Sequence, residues 1–117
     1  MSTPANATAL AGFIFVAFPR SYWAHLSGPA VYALSRRDPA TGRVVLLYVG
    51  QCEELKRHIG PEHDKWEAAN AFGMTEIHVL RMESKHRRCN IEMLLKQSVR
   101  PPLNQQSHTV AAVLARA

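Results

Sequence analysis

Basic side chains crowd around one glutamate in the last third of the chain. From Arg81 to Arg100 there are six basic residues but only two acidic ones, Glu83 and Glu92. The whole chain carries a formal charge of +5 over 117 residues. A basic balance of this kind favours polyanionic partners such as nucleic acid. The candidate nucleic-acid contacts are Arg57, Lys85, Arg87, Arg88 and Lys96.

Other residues that could do chemistry lie within or just after predicted strands and helices. They are Tyr32, Tyr48, His58 and Asn104. Each of them also has an ordinary structural interpretation. The tyrosines could be strand residues with buried rings, His58 could be a cation at a helix C-terminus, and Asn104 could shape a turn.

Glu92 is open to two interpretations as well. Arg88 lies four residues before it and Lys96 four residues after it, the spacing of ion pairs on an exposed helix surface. The basic run could in that case be a solubilising surface. Its closeness to a single carboxylate instead favours a phosphate-binding surface.

Two strands of a hairpin position the tyrosines. Residues 30–34 and 44–49 are apolar and rich in residues that favour strands, and the segment between them contains Asp-Pro-Ala-Thr-Gly. A turn centred on Ala40 sets Tyr32 opposite Tyr48, with both rings on one face of the sheet.

Helices and a third strand follow the hairpin. A short helix carries Glu53 and Glu54 in its first turn and ends at Gly60-Pro61, and Asp64 with Glu67 is typical of a capping box on a second helix. Residues 75–82 alternate as a strand. Ser84 caps a helix to about Val99, whose buried stripe is Ile91, Leu94 and Leu95. The pattern predicts an α+β fold of order ββααβα, a small three-stranded mixed or antiparallel sheet flanked by helices.

Three regions are predicted along the chain. Residues 1–27 form a partly flexible N-terminal extension, residues 28–104 the central domain, and residues 105–117 a tail that is Ala-rich and helical. Residues 1–8 are predicted to fray. The apolar run Phe13–Phe18 favours a strand, although the Ala-Leu-Ala-Gly before it suits a short helix, and the run could complete the sheet or pair with another copy.

Cysteine content and hydropathy limit the cellular setting. Cys52 and Cys89 form no C-x-x-C pair, and Cys52, His58 and His63 match no strong zinc pattern. The first apolar run is too short to cross a membrane and no basic segment precedes it. The expectation is a soluble cytoplasmic protein without membrane contact.

The residues in this order resemble the GIY-YIG nuclease family over residues 28–104. Ala30-Val31-Tyr32 is similar to the family's first motif and Tyr48-Val49-Gly50 to its second. Glu92 in the late helix matches the family's metal-binding glutamate, and Asn104 matches its asparagine. The family's arginine position, ten residues after the second tyrosine, is His58 here. His58 borders the apolar stripe formed by Leu55 and Ile59, whereas Arg57 points away from it.

The resemblance implies an activity and a cofactor. It implies an endonuclease that hydrolyses DNA, with RNA as the alternative substrate, using Mg²⁺ or Mn²⁺ bound by Glu92. Tyr32 or Tyr48 would be the general base and Asn104 would orient one of these groups. A histidine grips phosphate less firmly than a guanidinium. The alternative function is therefore a catalytically weak or inactive domain of the same kind that binds nucleic acid or a protein partner.

Overall fold

Five strands form one antiparallel sheet in the computed structural model, which describes residues 6–105. Its spatial order is β1-β2-β5-β3-β4. The strands are β1 (Ala7–Leu10), β2 (Phe13–Pro19), β3 (Ala30–Arg37), β4 (Val44–Cys52) and β5 (Glu76–Arg81). The helices are α1 (Leu55–His58), α2 (Trp66–Ala71) and α3 (Lys85–Val99), with 3-10 helices at Arg20–His25 and Pro102–Asn104.

The predicted α+β class is confirmed, but the predicted three-stranded sheet is wrong. Strand β2 pairs with β5 through Val16 and Val79, and β1 pairs with β2. The two strands are joined by Ala11 and Gly12, both with positive φ. A two-residue turn of this conformation matches the twist of a hairpin. Since an alanine rarely adopts it, the hairpin has a weak sequence signal. The full element order is therefore longer than ββααβα.

This hairpin decides the open questions about the N-terminal segment. Residues Phe13–Phe18 form a strand and complete the sheet of the same chain. Ala7 and Thr8, predicted to fray, belong to β1. The segment between Pro19 and Pro29 contains a 3-10 helix. The predicted helical tail falls almost entirely on residues 106–117, which lie outside the described residues.

The β3–β4 hairpin forms with a register two residues away from the predicted one. Tyr32 lies opposite Gly50, and Tyr48 lies opposite Leu34. An irregularity between Leu34 and Ser35 changes the pairing, so the turn position alone does not fix the register. Because side chains alternate with a period of two, a two-residue shift keeps both tyrosines on one face.

Each face of the sheet has its own core. The tyrosine face, which carries Tyr32, Leu34, Tyr48, Ile77 and Val79, is covered by side chains from α1, α2 and the second 3-10 helix. The opposite face, here the α3 face, carries Phe15, Val31, Ala33, Leu46 and Val49 and is covered by Ile91 and Leu95 of α3. The predicted alternation of β5 is confirmed, since Ile77 and Val79 pack on the tyrosine face and Leu80 on the other.

Helix α3 is buried along a different stripe from the predicted one. Ile91 and Leu95 are buried, but Leu94 is 48% exposed and Arg88 takes the third buried position. Positions 88, 91 and 95 are spaced by three and four residues, so they share one side of the helix. The Ser84 cap is confirmed, because its side chain accepts a hydrogen bond from the Arg87 amide.

The two short helices begin differently from prediction. Helix α1 starts after Glu54, whose carboxylate accepts hydrogen bonds from the amides of Lys56 and Gly28. The predicted capping box on α2 is absent. Instead, the Lys65 amide donates to His63 Nδ1 at 2.9 Å, immediately before the helix begins.

Among residues 6–105, none of the helices combines the length and apolarity that a membrane crossing requires.

A histidine is buried inside the sheet on β5. His78 has no exposed surface, and its Nδ1 lies 2.6 Å from Ser35 Oγ. Its Nε2 has no hydrogen-bond partner among the described residues and lies 3.8 Å from Glu76 Oε1. Burial lowers the pKa of His78 to about 4, and the negative charge of Glu76 offsets only part of this shift. The folded protein therefore holds this ring neutral.

The free energy of unfolding is expected to fall as the pH decreases, because His78 gains a proton more readily in the unfolded chain than in the folded protein. In the unfolded chain a histidine has a pKa of about 6.5, so protonation favours unfolding as the pH falls from about 6.5 towards 4. Above pH 6.5 the contribution of neutral His78 to the free energy of unfolding is intact. By pH 4 up to about 3 kcal/mol of that free energy is lost. Urea unfolding of the wild type and of His78→Leu across this range isolates the effect, because carboxylates titrate in both proteins. Parallel pH profiles for the two proteins would contradict it.

Candidate functional site

Tyr32 is the buried centre of the site on the tyrosine face. It has no exposed surface, and its ring crosses Gly50 on the neighbouring strand. A Cβ atom at position 50 would lie 2.5 Å from Tyr32 Oη, closer than nonbonded atoms approach. The glycine two residues after Tyr48 therefore leaves the space that the Tyr32 ring occupies.

His63 holds the Tyr32 hydroxyl. Its Nε2 lies 2.7 Å from Tyr32 Oη, and its Nδ1 accepts a hydrogen bond from the Lys65 amide. A nitrogen that accepts from a backbone N–H carries no proton, so the neutral ring has its proton on Nε2 and donates it to Tyr32. Burial lowers the pKa of His63 and favours this neutral form, although the Asp64 carboxylate at 3.4 Å opposes the shift.

The orientation of His63 leaves the Tyr32 proton free to be donated elsewhere. The ring centroids of Tyr32 and Tyr48 are 6.2 Å apart. Burial, together with the Asp64 and Glu92 carboxylates, raises the pKa of Tyr48, and the neighbouring Tyr32 side chain offsets part of this shift. Burial raises the pKa of Tyr32 well above its ordinary value, with a further contribution from Tyr48. Tyr32 is thus fixed as a hydroxyl donor.

His58 joins the tyrosines from α1. Its ring centroid lies 5.7 Å from that of Tyr32 and 5.6 Å from that of His63. Leu55 and Ile59 are buried on either side of it along the chain, as the predicted stripe requires. Arg57, one residue earlier, is exposed and lines a neighbouring groove.

Glu92 is the candidate that lies on α3. Its side chain is 22% exposed, and Oε1 lies 3.6 Å from Lys96 Nζ, one of the two ion pairs that the spacing suggested. Its negative charge raises the pKa of both Tyr32 and Tyr48. The Glu92 carboxylate thus acts on the two hydroxyls electrostatically, from a helix that packs on the opposite face of the sheet.

Arg88 does not pair with Glu92 and does not lie at the surface. It is 2% exposed, and its guanidinium donates to Gln51 Oε1 and to the carbonyls of Met82 and Glu83. These bonds occupy the donors of the guanidinium inside the protein. The predicted nucleic-acid contact at Arg88 is therefore corrected to a buried structural role. Lys85 and Arg87 are exposed in the first turn of α3, and Lys96 is exposed beside Glu92.

Asn104 binds the backbone of β4. Its Oδ1 accepts from the Val49 amide at 2.7 Å, and its Nδ2 donates to the Val49 carbonyl at 2.9 Å. Both ends of the amide are used, so the expectation that it orients a tyrosine or Glu92 directly is not met. The contact instead fixes the edge of the strand between Tyr48 and Gly50.

Metal-ligand candidates are sparse in the described part of the chain. Within residues 6–105 there is no group of three or more His, Cys, Asp or Glu side chains that could hold a metal ion. Cys52 is buried and its pKa is raised to about 11 by burial, so it stays a protonated thiol. Glu92 with water fits only a hard ion that keeps most of its hydration shell, as Mg²⁺ does.

Of the site residues, His63 was not predicted. It lies in the turn before α2, and its position gives no local signal of a contact with a residue 31 positions earlier. The chain has no significant match to any protein-family model, to curated proteins or to solved structures.

Gly50→Ala is expected to destabilise the fold by about 1–3 kcal/mol, the usual cost of overpacking a buried position. The added methyl group meets the Tyr32 hydroxyl, which cannot move without breaking its bond to His63. The free energy of unfolding in urea measures the effect. Val45→Ala, at an exposed position on the same strand, is the control and should cost less than about 1 kcal/mol. Equal losses for the two variants would refute the packing argument.

Proposed function

We propose that this chain is a metal-dependent endonuclease that hydrolyses phosphodiester bonds of DNA. One observation carries the proposal. Tyr32, Tyr48 and His58 come from three different elements and their rings pack together, and the Glu92 carboxylate on a fourth element raises the pKa of both tyrosines. Each has an ordinary structural explanation when taken alone, but those explanations do not account for their meeting.

The order of elements supports the assignment of these residues to a GIY-YIG-like domain. From β3 to α3 the chain runs ββααβα, the order that the resemblance implies for residues 28–104. The tyrosine-x-glycine motif also has a physical role, because Gly50 makes room for the first tyrosine.

The two tyrosines have different roles in the proposed reaction. Tyr32 is buried and its pKa lies well above the ordinary value, so its hydroxyl stays protonated and serves as a hydrogen-bond donor. Tyr48 is only partly buried and can meet water, so it is the general base. Because burial, Asp64 and Glu92 raise the pKa of Tyr48, a cation bound near Glu92 would have to stabilise the tyrosinate before Tyr48 could accept a proton.

Glu92 supplies the candidate metal ligand. A hydrated Mg²⁺ or Mn²⁺ held by this carboxylate would act as a Lewis acid on the phosphoryl oxygen. Lys96, beside Glu92, adds positive charge for the phosphate. His58 presents fewer N–H donors to phosphate than an arginine, which has five. The expected catalyst is therefore slower than one with arginine at this position.

A second function, nucleic-acid binding without cleavage, is favoured by the same substitution. His58 stands where the resemblance implies arginine. The cluster formed by Tyr32, Tyr48, His58 and His63, here the tyrosine cluster, therefore lacks a guanidinium to stabilise charge on the phosphate. The exposed cations Arg57, Lys85, Arg87 and Lys96 would still hold a phosphate backbone. A protein-binding role has no comparable support.

Cleavage of supercoiled plasmid in Mg²⁺ or Mn²⁺ tests the first function. The wild type should nick the plasmid, and Glu92→Ala should cut at least about 100-fold more slowly, the scale of losing a key electrostatic group. Glu83→Ala, at an exposed carboxylate just before α3, is the matched control and should cut like the wild type.

Two results would reject the endonuclease. One is equal cleavage by the wild type and Glu92→Ala, which would indicate a contaminating nuclease. The other is no cleavage by the wild type, and salt-dependent retention of DNA in that case would support the second function.

A further inference from the structure

A groove lies directly beside the tyrosine cluster. It measures about 650 Å³, within the range of about 300–1,000 Å³ that is usual for small-molecule sites. Trp23, Ile59 and Pro61 form its apolar part. His58 lines the groove and also packs against Tyr32, so the groove continues the candidate active site.

Trp23 is held rigidly from behind. A Cβ atom at Gly60 would lie 2.5 Å from Cε3 of its six-membered ring, and Gly60 also has a φ of +116° that disfavours any other residue. The Trp66 ring meets Trp23 edge-on with centroids 6.4 Å apart. Trp23 nevertheless keeps part of its surface open and lines the groove with it. A rigid indole that is partly exposed is a pre-organised surface for stacking.

The charge of the groove suits a phosphate backbone. Lys56, Arg57 and His58 line it, against one acidic residue, Glu62. Lys56 and Arg57 are exposed and make no ion pair within 4.0 Å among the described residues. Cations beside an aromatic ring are the usual combination in sites that bind single strands, where the backbone meets the charges and a base stacks on the ring.

We propose that this groove binds an unpaired nucleotide of the DNA strand next to the bond to be cut. Its base stacks on Trp23 and its phosphate is held by Lys56 and Arg57. A base inside a duplex has no free face for such stacking, so the preferred substrate has an unpaired stretch at the cleavage site. The inference rests on the proposed function, since it takes DNA as the substrate and His58 as the boundary of the active site.

The fluorescence of Trp23 reports binding without any cleavage. The chain has two tryptophans, so Trp66→Phe leaves Trp23 as the only indole. A short oligothymidylate added in EDTA should quench this fluorescence, and a duplex of the same length should quench it less. Polyglutamate is the control for charge and should leave it unchanged.

The anisotropy of a labelled oligothymidylate measures the contribution of stacking. Trp23→Leu should weaken binding about tenfold, the scale of one stacked base. Tyr22→Leu removes an exposed aromatic ring of the same 3-10 helix that does not line the groove, and it should bind like the wild type. If circular dichroism shows Trp23→Leu to be unfolded, the double variant Lys56→Ala/Arg57→Ala decides. It should bind more weakly, and its affinity should depend less steeply on salt concentration, by the amount that corresponds to the loss of about two phosphate contacts.

The proposal is overturned if oligothymidylate leaves Trp23 fluorescence unchanged, if duplex or polyglutamate quenches it equally, or if the deciding variant binds like the wild type. These results are separate from the fate of the proposed function. If the protein cleaves plasmid but fails the binding test, the nucleotide-binding groove is rejected and the endonuclease function stands. If oligothymidylate quenches the fluorescence of a protein that never cleaves plasmid, the endonuclease function is rejected and the nucleotide-binding groove stands.

Discussion

The hydrogen bond between His63 and Tyr32 is the interaction around which the rest of the site is arranged. A buried hydroxyl without a partner costs about 1–3 kcal/mol, and the centre of an antiparallel sheet offers no spare backbone group to pair with it. His63 supplies the partner from the turn before α2, and the Lys65 amide sets which ring nitrogen carries the proton. One bond thus joins the sheet to the helical layer and sets the direction in which Tyr32 donates.

Two constraints keep this bond in place. Gly50 gives the Tyr32 ring its space, and Asn104 clamps the β4 backbone next to it. Strand β4 is an edge strand, whose free amides and carbonyls would otherwise be open to another chain. The Asn104 clamp covers that edge at Val49. It also fixes the backbone that carries Tyr48, the more exposed of the two tyrosines.

The parts of the fold that the sequence predicts are those with local signals. Strands β3, β4 and β5, the Ser84 cap and the position of His58 beside Leu55 and Ile59 follow from alternation, capping and helical spacing. The β1–β2 hairpin was not foreseen because its turn contains Ala11 in a conformation unusual for alanine. The register of the β3–β4 hairpin depends on an irregularity inside a strand, and the residues of the turn do not indicate it.

The candidate site is less predictable, because its decisive contacts are distant in the sequence. Tyr32 and His63 are 31 residues apart, and nothing around either residue indicates the other. Arg88 illustrates the opposite error. A charged side chain on a helix is normally assigned to the surface, but here carbonyls of the β5–α3 connection and Gln51 satisfy its guanidinium, so it replaces an apolar residue in the buried stripe.

We propose that Glu92 and the cluster of Tyr32, Tyr48, His58 and His63 form one metal-dependent site. Paramagnetic broadening of side-chain NMR signals by a small amount of Mn²⁺ tests it directly. The ring signals of Tyr48 and His58 are expected to broaden in the wild type and to stay sharp in Glu92→Ala. Broadening that is the same in both proteins, or that spares these two rings, would contradict it.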